Sequence, residues 1–115
     1  MRHALLLCFA LTLLAQNADL TQALDSSRQR INSIDDQIVK LLNDRAQVVR
    51  EVGLIKKQFH APASAPGREA QVLERVAAQA KAPLTPSAVE MIYRAILHEM
   101  ASMEAAEMEK DSKSR

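Results

Sequence analysis

The sequence has no tryptophan, one tyrosine, two phenylalanines, two glycines and a single cysteine. So few aromatic and turn-forming residues argue against a β-sandwich or barrel, which need many short strands and tight turns. One cysteine closes no disulfide within the chain. The charges nearly cancel: 15 Lys and Arg against 14 Asp and Glu, a net charge of +1. With no basic tract, such a chain is a poor nucleic-acid binder, and any basic site must be local. What is abundant is Ala, Leu, Glu, Gln, Lys and Arg, which lose little rotamer freedom in a helix. A length of 115 residues suits one domain.

The first stretch stands apart. Arg2 and His3 precede the apolar run Ala4–Leu14, and small residues follow at Ala15 and Ala18. That order is expected of a secretory signal peptide over residues 1–18. The run falls short of the roughly 20 apolar residues a membrane span needs, a retained anchor being the alternative. Cys8 lacks the small residue expected before a lipidated cysteine. Removal of 1–18 takes Arg2 and no acid, leaving 14 basic and 14 acidic residues and no cysteine. The expected product is exported, periplasmic or secreted, with no membrane attachment after cleavage.

From Asp19 to Val52 there is neither Gly nor Pro. Leu24, Ile31, Ile38, Val52 and Phe59 fall on one seven-residue row, and Ile34, Leu41, Val48 and Ile55 on a second. This heptad seam predicts one long helix continuing through Gly53 to about Gln58. Such a helix is about 60 Å long, whereas a compact domain of this size has a radius of gyration of only about 13 Å. The rest of one chain cannot cover it, which predicts a homodimer of paired helices. His60–Gly67, with two prolines, is a loop. A short second helix is expected from about Arg68 to Ala80, with Val72, Leu73 and Val76 inward. Thr85 is a good N-cap and Pro86 suits the first helical position. The third helix is expected to bury Val89, Ile92, Tyr93, Ile96, Met100 and Met103. A charged tail, 108–115, is expected to fray.

Several residues do not suit a plain bundle. Arg45 occupies the apolar row between Ile38 and Val52, and burying an unpaired guanidinium costs several kcal/mol. It requires an anion, unless it snorkels or pairs with a carboxylate of the third helix. Lys56, eleven residues on, lies only about 20° away around the helix. Arg28, seventeen residues before Arg45, points about 100° away; it is either a solvated surface residue or, in a dimer of paired helices, a group that reaches the partner's site. Arg68 and Glu69 open the second helix, where the dipole favours anions. Glu104 is on the apolar side of the third helix, either at the end of a core stripe or in a pocket. Asp35 and Asp36 are adjacent and so diverge, a poor acid–base pair. His60 and His98 have no metal-ligand spacing.

Together these residues resemble a known family. Leu24–Arg45, containing Arg28 and Ile34-Asp35, then Val52-Gly53-Leu-Ile-Lys56, then Pro66-Gly-Arg68-Glu69 is similar to the all-helical class of chorismate mutase. The resemblance spans about residues 20–105. It implies an all-α fold of three helices, one very long, one short and one medium, in an intertwined homodimer with two shared sites. The domain would occupy 19–107. The implied reaction is the Claisen rearrangement of chorismate, a dianion, to prephenate in aromatic amino acid biosynthesis, without cofactor or metal. By position, Arg28 would bind a substrate carboxylate in the partner's site and Arg45 one in its own. Lys56 would donate to the ether oxygen, Arg68 would line the carboxylate pocket, and Glu69 would accept from the ring hydroxyl.

Three positions depart from the family pattern. Ala65 falls where a bacterial relative has Asp, and Met100 where Ser often contacts a carboxylate. Glu104 falls where Gln commonly donates to the ether oxygen, although fungal enzymes carry Glu. A carboxyl group donates only when protonated, so activity is expected to fall as Glu104 loses its proton with rising pH. The larger exported mutases carry an extended C-terminal half and a disulfide, and this sequence has neither. An isochorismate pyruvate lyase shares the fold and cationic site. A non-catalytic secreted helical dimer is the alternative from another class.

Overall fold

A computed structural model describes the backbone of residues 2–110 and the side chains of residues 8–110. Residues 111–115 of the expected tail, and the side chains of Arg2 and His3, lie outside the described residues. Three helices follow in order: α1 Arg2–Gln58, α2 Pro66–Ala77 and α3 Pro86–Glu109. No strand occurs among the described residues. The chain divides into two units, residues 1–42 and 43–115, and α1 contributes to both.

The end of α1 is set by backbone bonds that the sequence does not advertise. Ala61 N–H donates to Lys56 O at 2.8 Å and His60 N–H to Lys57 O at 3.2 Å. This is the Schellman pairing, which requires a left-handed residue between helix and loop. His60 fills that position with φ 53°, where glycine is usual. Lys56 and Lys57 in the last turn complement the negative end of the helix dipole.

Helix α2 begins two residues before the expected Arg68, because Pro66 sits at its first position and needs no hydrogen-bond partner. Arg68 N–H and Glu69 N–H both donate to Ala65 O. The helix ends at Ala77 rather than Ala80. There the chain tightens into i to i+3 bonds, Gln79 N–H to Val76 O and Ala80 N–H to Ala77 O. Thr85 caps α3 as expected, its hydroxyl accepting from Ala88 N–H at 3.1 Å. Helix α3 runs to Glu109, so Met108 and Glu109 are helical.

The core of residues 43–110 is small. Val72 and Val76 of α2 pack on Val89 of α3, with Ala80, Tyr93 and Leu97 against them. Met100 is also buried. The inward stripe of α3 is therefore Val89, Tyr93, Leu97 and Met100, in steps of four and three. Ile92 and Met103, expected inward, are exposed. They lie about 100° from Tyr93 and Glu104, each one residue away, and belong to the neighbouring face. Every apolar residue of the two seven-residue rows, from Leu24 on α1 to Phe59 just past its end, is exposed in the single chain.

Candidate active site

Helix α1 approaches α3 in antiparallel register. Lys56 meets Glu104, while Arg50, earlier on α1, meets Glu107, later on α3. Between them Gly53 is buried against Glu104 and Met108. Loop 59–65 returns the chain to α2, which packs on α3. The result is a pocket of about 630 Å³ bounded by residues of α1, the loop, α2 and α3. That is the size of a small-molecule site. Its apolar walls include Val48, Val52, Val72, Leu97 and Met100.

Four cations line this pocket, Arg45, Lys56, Arg68 and Arg75, against two carboxylates, Glu69 and Glu104. One carboxylate is already engaged. Lys56 Nζ donates to Glu104 Oε1 at 2.5 Å and to the loop carbonyl of Ala63 at 2.8 Å. Both partners of the ion pair are largely shielded, with side chains 20% and 13% exposed. Arg45, Arg68, Arg75 and Glu69 have no ion pair among the described residues. Arg45 is the sharpest case: its Nη1 is buried and has no hydrogen-bond partner. A buried donor left unpaired costs about 1–3 kcal/mol, and more when charged. The helix-three carboxylates that could have relieved it are committed elsewhere. Glu104 holds Lys56, and Glu107 accepts from Arg50 Nε at 2.8 Å and Lys110 Nζ at 2.7 Å. The hydrogen bonds from Lys110 and then Arg50 hold Glu107 below the usual carboxylate value, against a smaller opposing effect of burial.

The expected site residues Arg45, Lys56, Ala65, Arg68, Glu69, Met100 and Glu104 all border this one pocket. Of the two places open to Glu104, the pocket is the one observed. Arg28 does not border it. It belongs to the other unit, where it pairs with Asp25 at 3.6 Å on an exposed turn. Sequence reasoning overlooked Arg75. Its signal was present: Arg68, Val72 and Arg75 are spaced by four and three, one face of α2. The Ala63 carbonyl was also missed, because a backbone acceptor leaves no mark in a sequence.

A second, shallow groove follows one face of α1 between Asn17 and Gln29 and gathers Asp25 but no cation. Among the described residues there is no cluster of side chains able to hold a metal, and no helix long and apolar enough to cross a membrane.

The described residues thus form an all-helical protein whose pocket is lined by four cations and two carboxylates. The family model for chorismate mutase type II matches residues 27–105, and the chain belongs to that family. A bifunctional chorismate mutase/prephenate dehydratase of Aquifex aeolicus is 34% identical over 55 residues, 48% of this chain and 15% of that protein. Its counterpart in Neisseria gonorrhoeae is 34% identical over 77 residues, 67% of this chain and 21% of that one. The T-protein of Enterobacter agglomerans is 32% identical over 82 residues, 70% and 22% of the two chains. This chain therefore spans less than a quarter of the length of these curated relatives.

Proposed function

We propose that this protein is a chorismate mutase, converting chorismate to prephenate by an intramolecular rearrangement. The observation that carries the reading is the buried, unpartnered Nη1 of Arg45 in a pocket already lined by Lys56 and Arg68. A planar guanidinium grips a carboxylate through two parallel hydrogen bonds. Two carboxylates held by separate cations fix the folded diaxial conformer, which removes an entropic part of the barrier. As the ether C–O bond breaks and the new C–C bond forms, negative charge grows on the ether oxygen. Lys56 donates to that oxygen, and its stabilisation is electrostatic. Glu104 accepts from Lys56 and holds it in place, and Glu69 accepts from the ring hydroxyl. Ala65 contributes backbone to the pocket wall, and Met100 supplies apolar floor rather than a polar contact. No proton leaves the substrate and no covalent intermediate forms.

The active form in this reading is a homodimer. An uncovered apolar row along α1 forgoes about 1.5–3 kcal/mol for each large side chain left in water, and contiguous apolar surface marks an interaction face. A second copy carries the same heptad row and also brings Arg28 to the pocket. Residues 1–18 direct export, on the strength of Arg2 and His3, the apolar run and the small residues at Ala15 and Ala18.

The test is product formation by purified protein across pH, followed by loss of chorismate and appearance of prephenate. The expected result is prephenate. Salicylate and pyruvate from isochorismate, or no turnover at all, would contradict the reading. Export is checked by N-terminal sequencing of protein recovered outside the cytoplasm, which should begin between Gln16 and Asp19.

A further inference from the structure

Gly53 is buried in the interior of α1. Glycine is disfavoured there relative to alanine, since it loses more backbone entropy and packs no side chain. No backbone conformation demands it, because no glycine among the described residues has positive φ. What demands it is space. A β-carbon on Gly53 would stand 3.2 Å from Glu104 Cγ, 3.5 Å from Glu104 O and 3.7 Å from Met108 Cγ. The last two are ordinary contacts, while the first is tighter than nine in ten real ones. The crowded atom belongs to the side chain whose Oε1 accepts from Lys56 Nζ at 2.5 Å. Lys56 lies three residues beyond Gly53, on the next turn of the same helix.

We infer that Gly53 is a positioning residue, whose missing side chain lets Glu104 settle against α1 and so sets the geometry of the Lys56–Glu104 hydrogen bond. The consequence for turnover rests on the mutase reading, which places both groups at the ether oxygen. The spacing itself does not. An alanine at 53 displaces Glu104 Cγ by a few tenths of an ångström. It leaves the Lys56 bond to Ala63 O and the pocket's unpaired arginines untouched. The effect therefore falls on the reacting end of the pocket and spares carboxylate binding.

A double-mutant cycle on the full chain tests this, with Gly53→Ala, Glu104→Ala and the pair compared with wild type. Without Cγ at position 104, Gly53→Ala gains only the helix preference of alanine, and Tm rises by about 4 °C. With Glu104 present that rise disappears. In turnover, Gly53→Ala lowers kcat about tenfold with KM within about twofold of wild type, and changes kcat less than twofold once Glu104 is gone. The loss of kcat depends on the presence of Glu104, whereas a loss of stability alone would lower it in both backgrounds. Equal Tm shifts and equal kcat losses in both backgrounds would overturn the inference, placing Gly53 in general packing. The thermal arm needs no substrate. Failure of the mutase reading therefore shows as absent prephenate with the Tm coupling intact, and failure of this inference as absent coupling.

Discussion

The N-terminal and C-terminal parts of α1 carry the same apolar repeat but differ in the work their cations do. In residues 1–42, Arg28 pairs with its neighbour Asp25 across one exposed turn, an arrangement worth at most about 1 kcal/mol. In residues 43–110, Arg45 and Lys56 stand where α2 and α3 close a pocket, and the Nη1 of Arg45 is buried without a partner. Within the single chain, one cation type on one helix is therefore exposed to solvent in the first region and shielded in the second. What separates them is the shielding supplied by the two shorter helices.

Four substitutions sharpen the contrast. Lys56→Ala should have the largest effect, lowering kcat about 10²–10³-fold, as removal of one preorganised donor does. Steady-state kinetics read this directly, and a change confined to KM would mean that Lys56 binds without acting on the reacting atoms. Arg75→Gln should raise KM about fivefold with kcat unchanged, as an exposed pocket cation attracts the substrate without touching the bond that breaks. Added salt should shrink that difference, and a salt-independent effect would place Arg75 in direct contact instead.

His60→Gly should stabilise the protein by about 0.5 kcal/mol. Relief of a left-handed non-glycine residue slightly outweighs the greater freedom of glycine in the unfolded chain. Thermal or urea unfolding measures it. The smallest effect concerns Glu107. Its carboxyl sits below its ordinary value of 4.5 when folded, because Lys110 and Arg50 donate to it. A lowered folded value means the contribution is present above the unfolded pKa and is lost as pH falls through the folded one. Tm of wild type should therefore drop faster on acidification below about 4.5 than Tm of Glu107→Gln. Parallel curves would mean that the contacts of Glu107 with Lys110 and Arg50 add nothing.

Much of this architecture is legible in the amino-acid sequence. The heptad rows and the absence of proline mark the long course of α1, and Thr85-Pro86 marks the start of α3. Arg45 is conspicuous as a charge on an apolar row. The limits of α2 are not legible, since an Ala-rich stretch carries no strong stop signal and the final turn tightens instead. The inward face of α3 is ambiguous by one residue, because Ile92 and Ile96 compete with Tyr93 and Leu97 for the core and only packing decides. The Arg50–Glu107 contact joins residues 57 apart and depends on how α1 meets α3, which no local pattern encodes.

The mutase reading pairs two chains, so that the Arg28 part of α1 serves a partner's site while the Arg45 part serves its own. Its most direct measurement mixes Arg28→Ala and Arg45→Ala chains, unfolds and refolds them together, and assays turnover. A random mixture makes half of the dimers heterodimers, each with one intact and one doubly defective site, so activity should recover to about one quarter of wild type. Activity no higher than that of either variant alone would show that Arg28 does not complete a partner's pocket.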